Sequence, residues 1–264
     1  MPERADEERR ILNCVPSRDT ENDWVFDDAV IAGLWAPPPA IPEAKDLREP
    51  WWTVHNQGST GSCVGWATAD AVLRWHFVKA GRLGTEELLS PRFIWMASKE
   101  TDRFDRRPTT FIETSGTSIK AALDIVRRFG AVKDSVLPFG SGQLYPGNSN
   151  SFYALAAQFK IAGYFNLGTD LDRWRQWLAL NGPLASRLNV DATWFAATST
   201  HGNLDTYQAD TARGGHAIAV VGYTPDRFII RNSWGVRWGD EGFAYASEAY
   251  ARAALTEAYG ASIS

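Results

Sequence analysis

The sequence predicts an α+β fold in which two subdomains face each other, with helices in the first half of the chain and strands in the second. Segments near residues 63–75 and 118–129 carry apolar side chains at three- and four-residue intervals, the period of an amphipathic helix. From residue 184 onward, apolar residues form short runs separated by turn residues, which is typical of strands. The chain has 264 residues, 44% of them hydrophobic, enough for one large domain or two small ones.

Charge and composition exclude several classes of partner. The formal net charge is −4 and the pI is about 5.6, so no basic excess suggests a nucleic-acid partner. No stretch reaches the ~18 apolar residues of a membrane span, and the N-terminus lacks the apolar core of a secretory signal. We therefore expect a cytoplasmic protein with no nucleic-acid or membrane partner and with no cofactor or metal ion. The oligomeric state is left open.

The first 40 residues differ in character from the rest. They are polar and acidic and end in the proline-rich run Ala36–Pro42, which favours a stiff, extended conformation over a helix. We therefore divide the chain into an N-terminal arm, residues 1–40, which is a candidate regulatory segment, and a main domain, residues 41–264.

A helix is predicted where apolar residues recur at helical spacing and a Gly or a turn follows the last of them. A strand is predicted where a short apolar run is flanked by turns. In chain order the predicted elements are a helix that begins at Cys63 and stops at Gly81, helices at Ser118–Phe129 and Leu171–Leu180, and strands His216–Tyr223 and Arg227–Arg231, joined in a hairpin by Thr224–Asp226. Cys63 is thereby placed at a helix N-terminus.

Cys63 has the position of a nucleophile. Only a thiolate attacks a carbonyl carbon, and a helix N-terminus lowers the pKa of a thiol because the positive end of the helix dipole lies beside the developing charge. The preceding stretch 57–62 adds a Gly-rich turn whose N–H groups can converge on an oxyanion, together with the amide of Gln57. Taken alone, Cys63 is equally well explained as a small buried residue that begins a core helix.

The base must come from one of four histidines. His76 follows along the same predicted helix, roughly 20 Å from the nucleophile, which excludes it. His55 precedes the oxyanion turn and His201 lies in a loop-like stretch, so we predict surface or packing roles for both. His216 begins a strand directly after Gly214-Gly215, where the missing side chains leave its ring accessible, so it is the predicted base.

The imidazole also needs a partner that fixes its ring and tautomer. Asn232 follows the second strand of the hairpin, which brings it back beside the start of the first strand, where His216 lies. Taken alone, the stretch Asn232–Gly242 also fits a Gly-rich turn with two tryptophans packed on the sheet.

These segments resemble the papain and cathepsin family of cysteine peptidases. Gln57–Ala67 is similar to the motif Gln-Gly-x-Cys-Gly-Ser-Cys-Trp-Ala and keeps its spacing from Gln to Cys. His216–Tyr223 is similar to His-Ala-Val-x-x-Val-Gly-Tyr, and Asn232–Gly242 matches Asn-Ser-Trp-Gly-x-x-Trp-Gly-x-x-Gly without a gap. The likeness covers about residues 41–247 and implies a papain-like fold: a helical half and an antiparallel sheet or barrel half, with the active-site cleft between them.

The resemblance further implies a cysteine endopeptidase that acts on peptide or protein substrates. Cys63 would attack the scissile carbonyl, His216 would protonate the leaving amine, and Asn232 would hold the His216 ring. Gln57 and the Cys63 backbone N–H would bind the oxyanion, and Trp234 would shield the hydrogen bond between His216 and Asn232 from water. The predicted catalytic residues are therefore Cys63, His216, Asn232 and Gln57.

The same resemblance implies that substrate is bound by Ser115, Gly116, Gly215 and Trp234. Ser115 stands where the family has the first of two paired glycines. Arg187 stands where the family usually has a small or apolar residue in the main specificity pocket. We therefore predict a preference for an acidic or polar side chain two residues before the cleaved bond. The alternative is that Arg187 points to solvent.

The cysteines mark a departure from the family. Only Cys14 and Cys63 are present, and Thr60 replaces a cysteine of the nucleophile motif, so the disulfides that usually brace the helical half cannot form. This predicts a divergent, disulfide-free member in a reducing compartment.

Several alternatives stay open. Transfer of the acyl group to an amine uses the same acyl-enzyme, and a non-catalytic peptide-binding module keeps the same fold. The arm either packs over or near the cleft and restrains the enzyme, or only buries Trp24 and Phe26 on the surface. Cys14 is predicted to be an inert thiol, and the less favoured alternative is a mixed disulfide with Cys63 that acts as a redox lock.

Overall fold

The computed structural model describes residues 10–33, 40–101, 116–142 and 145–263, and within them the predicted α+β class is confirmed. The helices are α1 (Phe26–Ile31), α2 (Cys63–Trp66), α3 (Arg74–Lys79), α4 (Pro91–Thr101), α5 (Ile119–Arg128), α6 (Ser149–Ala156), α7 (Leu171–Leu180), α8 (Ala192–Phe195) and α9 (Glu248–Ala254). The strands are β1 (Lys45–Asp46), β2 (Gly163–Asn166), β3 (Leu184–Val190), β4 (Asn203–Leu204), β5 (Gly214–Tyr223), β6 (Arg227–Arg231), β7 (Phe243–Ser247) and β8 (Leu255–Ser262). No helix in these ranges is both long and apolar enough to cross a membrane.

The strands form one sheet in the order β2-β8-β3-β5-β6-β7-β4, and β1 pairs with β5. Neighbouring strands are antiparallel except β4 and β7, which are parallel. β5 is buried along nearly its whole length and pairs with both β3 and β6, so its residues are held rigidly. The described strands do not close on themselves. The strand half was predicted to be a sheet or a barrel, and the structure has an open sheet.

The helix that carries Cys63 is continuous but not α-helical throughout. α2 runs into a π-helical segment, Ala67–Leu73, which runs into α3. Gly81 then has φ of +69°, so the predicted stop is confirmed. The π-helical segment was not predicted, because apolar spacing does not separate it from an α-helix.

Asp70 on the π-helical segment joins the two halves of the molecule. Its buried carboxylate accepts a hydrogen bond from Arg231 of β6 at 2.8 Å and lies 3.1 Å from His55 Nδ1 and 3.3 Å from Arg74. Burial raises the pKa of Asp70, but Arg231, His55 and Arg74 together lower it by more than burial raises it, so the carboxyl remains ionised. The ion pairs hold α2, and with it Cys63, against the sheet.

The other predicted elements are confirmed with small shifts at their ends. Ser118 caps α5 by accepting the Ala121 N–H at 3.3 Å, and α7 covers the predicted residues. The hairpin of β5 and β6 closes through the Thr224 N–H donated to Arg227 O at 2.8 Å.

The arm is anchored on the sheet half by α1. Phe26 is 1% exposed and packs its ring 5.4 Å from that of Trp177, whereas Trp24 is 60% exposed. The alternative in which the arm buries both aromatic rings is therefore half right. Most of the proline-rich run 36–42 lies outside the described residues.

Candidate active site

Cys63 lies fully buried between the helical half and β5, as the first residue of α2. The pKa of its thiol is well below the usual range, chiefly because of the adjacent Cys14 thiol, whose Sγ also lies 3.8 Å from Val15 O. Burial opposes this, while His216 and the backbone N–H of Ala217 lower the pKa further. The site therefore favours the thiolate, which is the nucleophilic form.

His216 and Asn232 form the pair that the hairpin predicts. His216 Nε2 lies 2.8 Å from Asn232 Oδ1, and both residues are buried. The Ser233 backbone N–H also donates to Asn232 Oδ1 at 2.8 Å, which identifies that atom as the amide oxygen. Since an oxygen acceptor requires a proton on Nε2, the other ring nitrogen, Nδ1, is left to face Cys63, and it has no other polar partner in the described chain.

Two tryptophans enclose the His216 ring. The ring of Trp234 lies 5.2 Å away at 45°, and that of Trp194 lies 6.1 Å away at 74°. Trp234 is 3% exposed and Trp194 is fully buried. Because water is kept from this side of the ring, the hydrogen bond between His216 and Asn232 is stronger than a solvent-exposed one. Trp194 was missed, since no motif marks it.

Gln57 is fixed in the loop before Cys63. Its Nε2 donates to Thr60 O at 2.9 Å, its Oε1 accepts the Ser233 hydroxyl at 2.7 Å, and its backbone N–H donates to Ser233 O at 2.8 Å. Thr60, which replaces a cysteine of the motif, returns a hydrogen bond from Oγ1 to Gln57 O at 2.7 Å. The substitution thus preserves a rigid loop by hydrogen bonds.

The N-terminal arm runs through the cleft beside these residues. The Cys14 N–H donates to Gly215 O at 3.0 Å, and the Val15 N–H donates to Thr117 O at 3.2 Å. Farther along the cleft, Arg10 donates from Nη1 to Asn56 Oδ1 at 2.9 Å and to Gly58 O at 2.8 Å, with its guanidinium 5.3 Å from the Trp234 ring centre. Of the alternatives for the arm, packing over the cleft is therefore the one observed for residues 10–15.

Two predicted substrate-binding glycines contact the arm closely. A Cβ atom on Gly116 would overlap with Asn13 O, and one on Gly215 would overlap with Cys14 O. An extended chain therefore fits against both sides of the cleft only because these positions lack side chains. Ser115, the neighbour of Gly116, lies outside the described residues.

Arg187 on β3 lines the same part of the cleft and does not point to solvent. It is 9% exposed, donates from Nε to Cys14 O at 2.9 Å, and donates from Nη1 to Thr256 Oγ1 at 2.9 Å. Glu257 lies nearby: burial raises the pKa of its carboxyl and Arg187 lowers it. The solvent-facing alternative is thus wrong.

Cys14 is the residue of this site that the sequence interpretation undervalued. It is 2% exposed and its thiol contacts that of Cys63. The one available signal was that the chain contains just two cysteines. Nothing in the local pattern around Cys14 indicates where the arm lies.

The remaining histidines are placed away from this chemistry. His55 is paired with Asp70, and His201 lies in an exposed turn with φ of +51°. His76 is buried against Gly182, and burial lowers its pKa to about 4. These positions agree with the packing and surface roles expected for His55 and His201 and with the exclusion of His76.

A thiol whose pKa is lowered, an imidazole and an amide that orients it are what enzymes use to attack acyl carbonyls through a covalent intermediate. The family model for papain family cysteine proteases matches residues 41–260, and the chain belongs to this family.

Curated relatives are distant in sequence. Cathepsin F of Drosophila melanogaster is 25% identical over 213 residues, which cover 72% of this chain and 30% of the relative. A cathepsin L-like proteinase of Fasciola hepatica is 25% identical and covered over 60% of its length, and cathepsin K of Mus musculus is 26% identical and covered over 66%. The chain thus spans between 30% and 66% of the length of these relatives.

Solved structures share the fold. Xylellain, a cysteine protease from Xylella fastidiosa, superposes with a TM-score of 0.79 over 97% of both chains at 22% identity. Digestive procathepsin L 3 of Tenebrio molitor superposes with a TM-score of 0.65 over 97% of this chain and 78% of its own, at 17% identity.

Proposed function

We propose that this chain is a cysteine endopeptidase that hydrolyses peptide bonds through a Cys63 thiolate and a His216 imidazolium. The observation that carries the proposal is the 2.8 Å hydrogen bond from His216 Nε2 to Asn232 Oδ1, with the thiol of Cys63 on the other side of the ring. This arrangement fixes the imidazole so that it can hold the thiolate as an ion pair and later deliver a proton. Membership of the papain family supports the same chemistry.

Acylation begins with attack of Cys63 Sγ on the scissile carbonyl. The oxyanion accepts two hydrogen bonds, one from the Cys63 backbone N–H and one from the side-chain amide of Gln57. The Cys63 N–H is free for this because it lies in the first turn of α2 and has no helical acceptor. The Gln57 amide has two such groups and gives one to Thr60 O, so the other is available. Because this amide is locked on both sides, it needs no reorganisation when the negative charge develops.

His216 then transfers its Nδ1 proton to the leaving amine, and an acyl-enzyme remains on Cys63. The neutral imidazole next removes a proton from water, which attacks the thioester and releases the acid. Asn232 keeps the ring in one orientation during both transfers.

Neither of the alternatives, amine ligation or a non-catalytic module, gains support from the comparisons. The chain has only two cysteines, so no disulfides brace its helical half. This supports a reducing compartment such as the cytoplasm.

The main test is covalent labelling by a thiol-reactive epoxide inhibitor, together with hydrolysis of fluorogenic peptides. We expect a variant without residues 1–16 to react with both, and the same variant carrying Cys63→Ala to react with neither. Cys14 is absent from this truncation, so label incorporated there can only be on Cys63. Failure of the truncated, folded protein to take up the label at neutral pH would refute the proposal.

We further propose that the arm restrains the peptidase. Residues 10–15 lie where an extended substrate has to lie, since their backbone contacts Gly116, Gly215 and Arg187. Substrate and arm therefore compete for the same surface. Truncation of residues 1–16 leaves α1 in place, and we expect the truncated enzyme to hydrolyse peptide faster than the full chain.

The specificity of the enzyme is proposed to depend on Arg187. Its guanidinium is nearly buried in the cleft and already holds a backbone carbonyl oxygen, so a substrate side chain with an acceptor group has a donor to pair with. Glu257 offsets part of the positive charge, which favours polar as well as acidic side chains. We expect an acidic or polar residue two positions before the cleaved bond.

A peptide library varied at that position tests this, with the truncated enzyme and its Arg187→Ala and Arg187→Lys variants. Arg187→Ala is expected to lose the acidic and polar preference, and Arg187→Lys is expected to retain the acidic part. An apolar preference that is the same in all three enzymes would show that Arg187 does not set specificity.

A further inference from the structure

The two thiols of this protein contact each other although they belong to different segments. Cys14 lies on the arm and Cys63 begins α2, and the two thiols are close enough that each shifts the pKa of the other. The Cys14 Sγ also lies 3.8 Å from Val15 O. Both are free and buried, at 2% and 0% exposure. They are the only cysteines in the chain. Contact between the only two thiols of the protein makes this pair a candidate site of covalent modification.

The backbone holds Cys14 in this position from both sides. Its N–H donates to Gly215 O at 3.0 Å, next to His216, and its carbonyl oxygen accepts Arg187 Nε at 2.9 Å. A residue fixed on both sides in an extended conformation has a defined side-chain direction. The position of the Cys14 thiol beside Cys63 is therefore a consequence of how the arm is seated in the cleft.

The two thiols differ in protonation, and the difference suits disulfide formation. Burial and the hydrogen bond to Cys63 raise the pKa of Cys14, while the pKa of Cys63 is lowered. Cys63 is therefore the sulfur that reacts first with an oxidant, and Cys14 is the neighbouring thiol that can resolve the oxidised product. Since both are in one chain, the resolving step needs no second molecule.

We propose that Cys14 and Cys63 form a reversible disulfide that ties the arm covalently into the cleft, with a hydroperoxide as the oxidant. The regulatory effect rests on the proposed peptidase function, whereas the disulfide itself does not. The thiolate of Cys63 attacks the hydroperoxide, whose O–O bond breaks, and the sulfur becomes a sulfenic acid while an alcohol, or water from hydrogen peroxide, is released. The thiol of Cys14 then attacks that sulfur, the S–O bond breaks, and water leaves.

The balance is two thiols and one hydroperoxide giving one disulfide, one alcohol and one water. Hydrogen peroxide is nearly as small as water, so brief local opening of the arm admits it where a peptide is still excluded. A dithiol reductant reverses the reaction by exchange and is itself oxidised to a cyclic disulfide. The disulfide would also protect Cys63 from irreversible oxidation to a sulfinic acid.

The chemical test needs no peptidase activity. The full chain is treated with hydrogen peroxide, and its thiols are counted with a chromogenic disulfide under denaturing conditions. We expect both thiols to disappear while the protein stays monomeric on a non-reducing gel and loses the mass of two hydrogen atoms. With two cysteines in the chain, this product can only be the disulfide between Cys14 and Cys63. Retention of one thiol, or a gain of oxygen mass on Cys63, would overturn the proposal.

The activity test uses Cys14→Ser and Cys14→Ala, each checked for folding by circular dichroism. Hydrogen peroxide is used in enough excess to carry an unresolved sulfenic acid on to the sulfinic acid, which dithiothreitol does not reduce. After dithiothreitol we then expect the wild-type full chain to recover most of its epoxide labelling, and both variants to recover little. Equal recovery in wild type and variants would contradict a resolving role for Cys14. If the protein without residues 1–16 takes up no label, the peptidase proposal fails instead, and the thiol count on the full chain still decides whether the disulfide forms.

Discussion

Arg10 offers the most direct measure of how firmly the arm closes the cleft. The residue belongs to the arm, so its replacement leaves the catalytic groups unchanged. Its guanidinium donates to Asn56 Oδ1 and Gly58 O at 2.9 and 2.8 Å and lies 5.3 Å from the centre of the Trp234 ring. Arg10→Ala removes all three contacts and leaves the anchoring helix α1 in place.

The size of the effect follows from these contacts. Each of the two hydrogen bonds contributes about 1 kcal/mol after competition with water. The cation–π contact adds about 0.5–1 kcal/mol at a partly exposed site. Ordering the side chain costs about 0.5–1 kcal/mol in return. The closed arm therefore loses about 2 kcal/mol, which corresponds to a roughly 30-fold shift toward the open state.

The assay is the rate constant for labelling of the full chain by a thiol-reactive epoxide. We expect Arg10→Ala to label up to ~30-fold faster than wild type, with the protein lacking residues 1–16 as the upper limit. Arg252→Ala is the matched control, since this exposed arginine on α9 contacts Glu248 at 3.9 Å and not the cleft. If the truncated protein labels faster but Arg10→Ala does not, the energetic assignment is wrong. If neither labels faster, restraint by the arm is wrong.

Three further predictions concern the buried polar groups. Asn232→Ala removes the hydrogen bond to His216, and kcat/KM of the truncated enzyme should fall by about 10- to 100-fold with an unchanged circular dichroism spectrum, since such a bond contributes ~1.5–3 kcal/mol; an unchanged kcat/KM would refute the orienting role. Burial lowers the pKa of His76 from 6.5 to about 4, so the unfolded chain binds the extra proton and stability falls as the pH drops through this window. The free energy of unfolding in urea should fall by about 3 kcal/mol from this group between about pH 7 and pH 4, and His76→Gln should lose that part of the slope. Cys14→Ala removes the neighbouring thiol that holds the pKa of Cys63 down, so the pH at which alkylation of Cys63 in the full chain is half-maximal should move to higher pH; an unchanged midpoint would contradict that contact.

Much of the fold was predictable because its signals are local. α5, α7 and the β5–β6 hairpin each carry their own periodicity and stop residues within a dozen or so positions, so no distant contact is needed to infer them. The positions of Cys63, His216 and Asn232 were predictable for a related reason. A helix N-terminus and a hairpin each fix where one side chain lies relative to its own element.

Other features depend on packing between distant segments. The π-helical segment carries Asp70 toward Arg231, and apolar spacing contains no information about that ion pair. Whether the sheet closes into a barrel depends on how its edge strands end, which no single strand records. The direction of Arg187 depends on Cys14 O and Thr256, both remote in sequence.

The sequence by itself determined the α+β class, the family resemblance and the residues proposed to act as nucleophile, base and orienting amide. Only the tertiary structure decided where the arm lies. Its seat is made of single hydrogen bonds, such as those to Gly215 and Thr117 and that from Arg187, and of close contacts on glycines, and none of these imposes a periodicity or a motif on the arm. The contact between Cys14 and Cys63 follows from that seat, which is why a thiol that the sequence suggested was inert lies against the nucleophile.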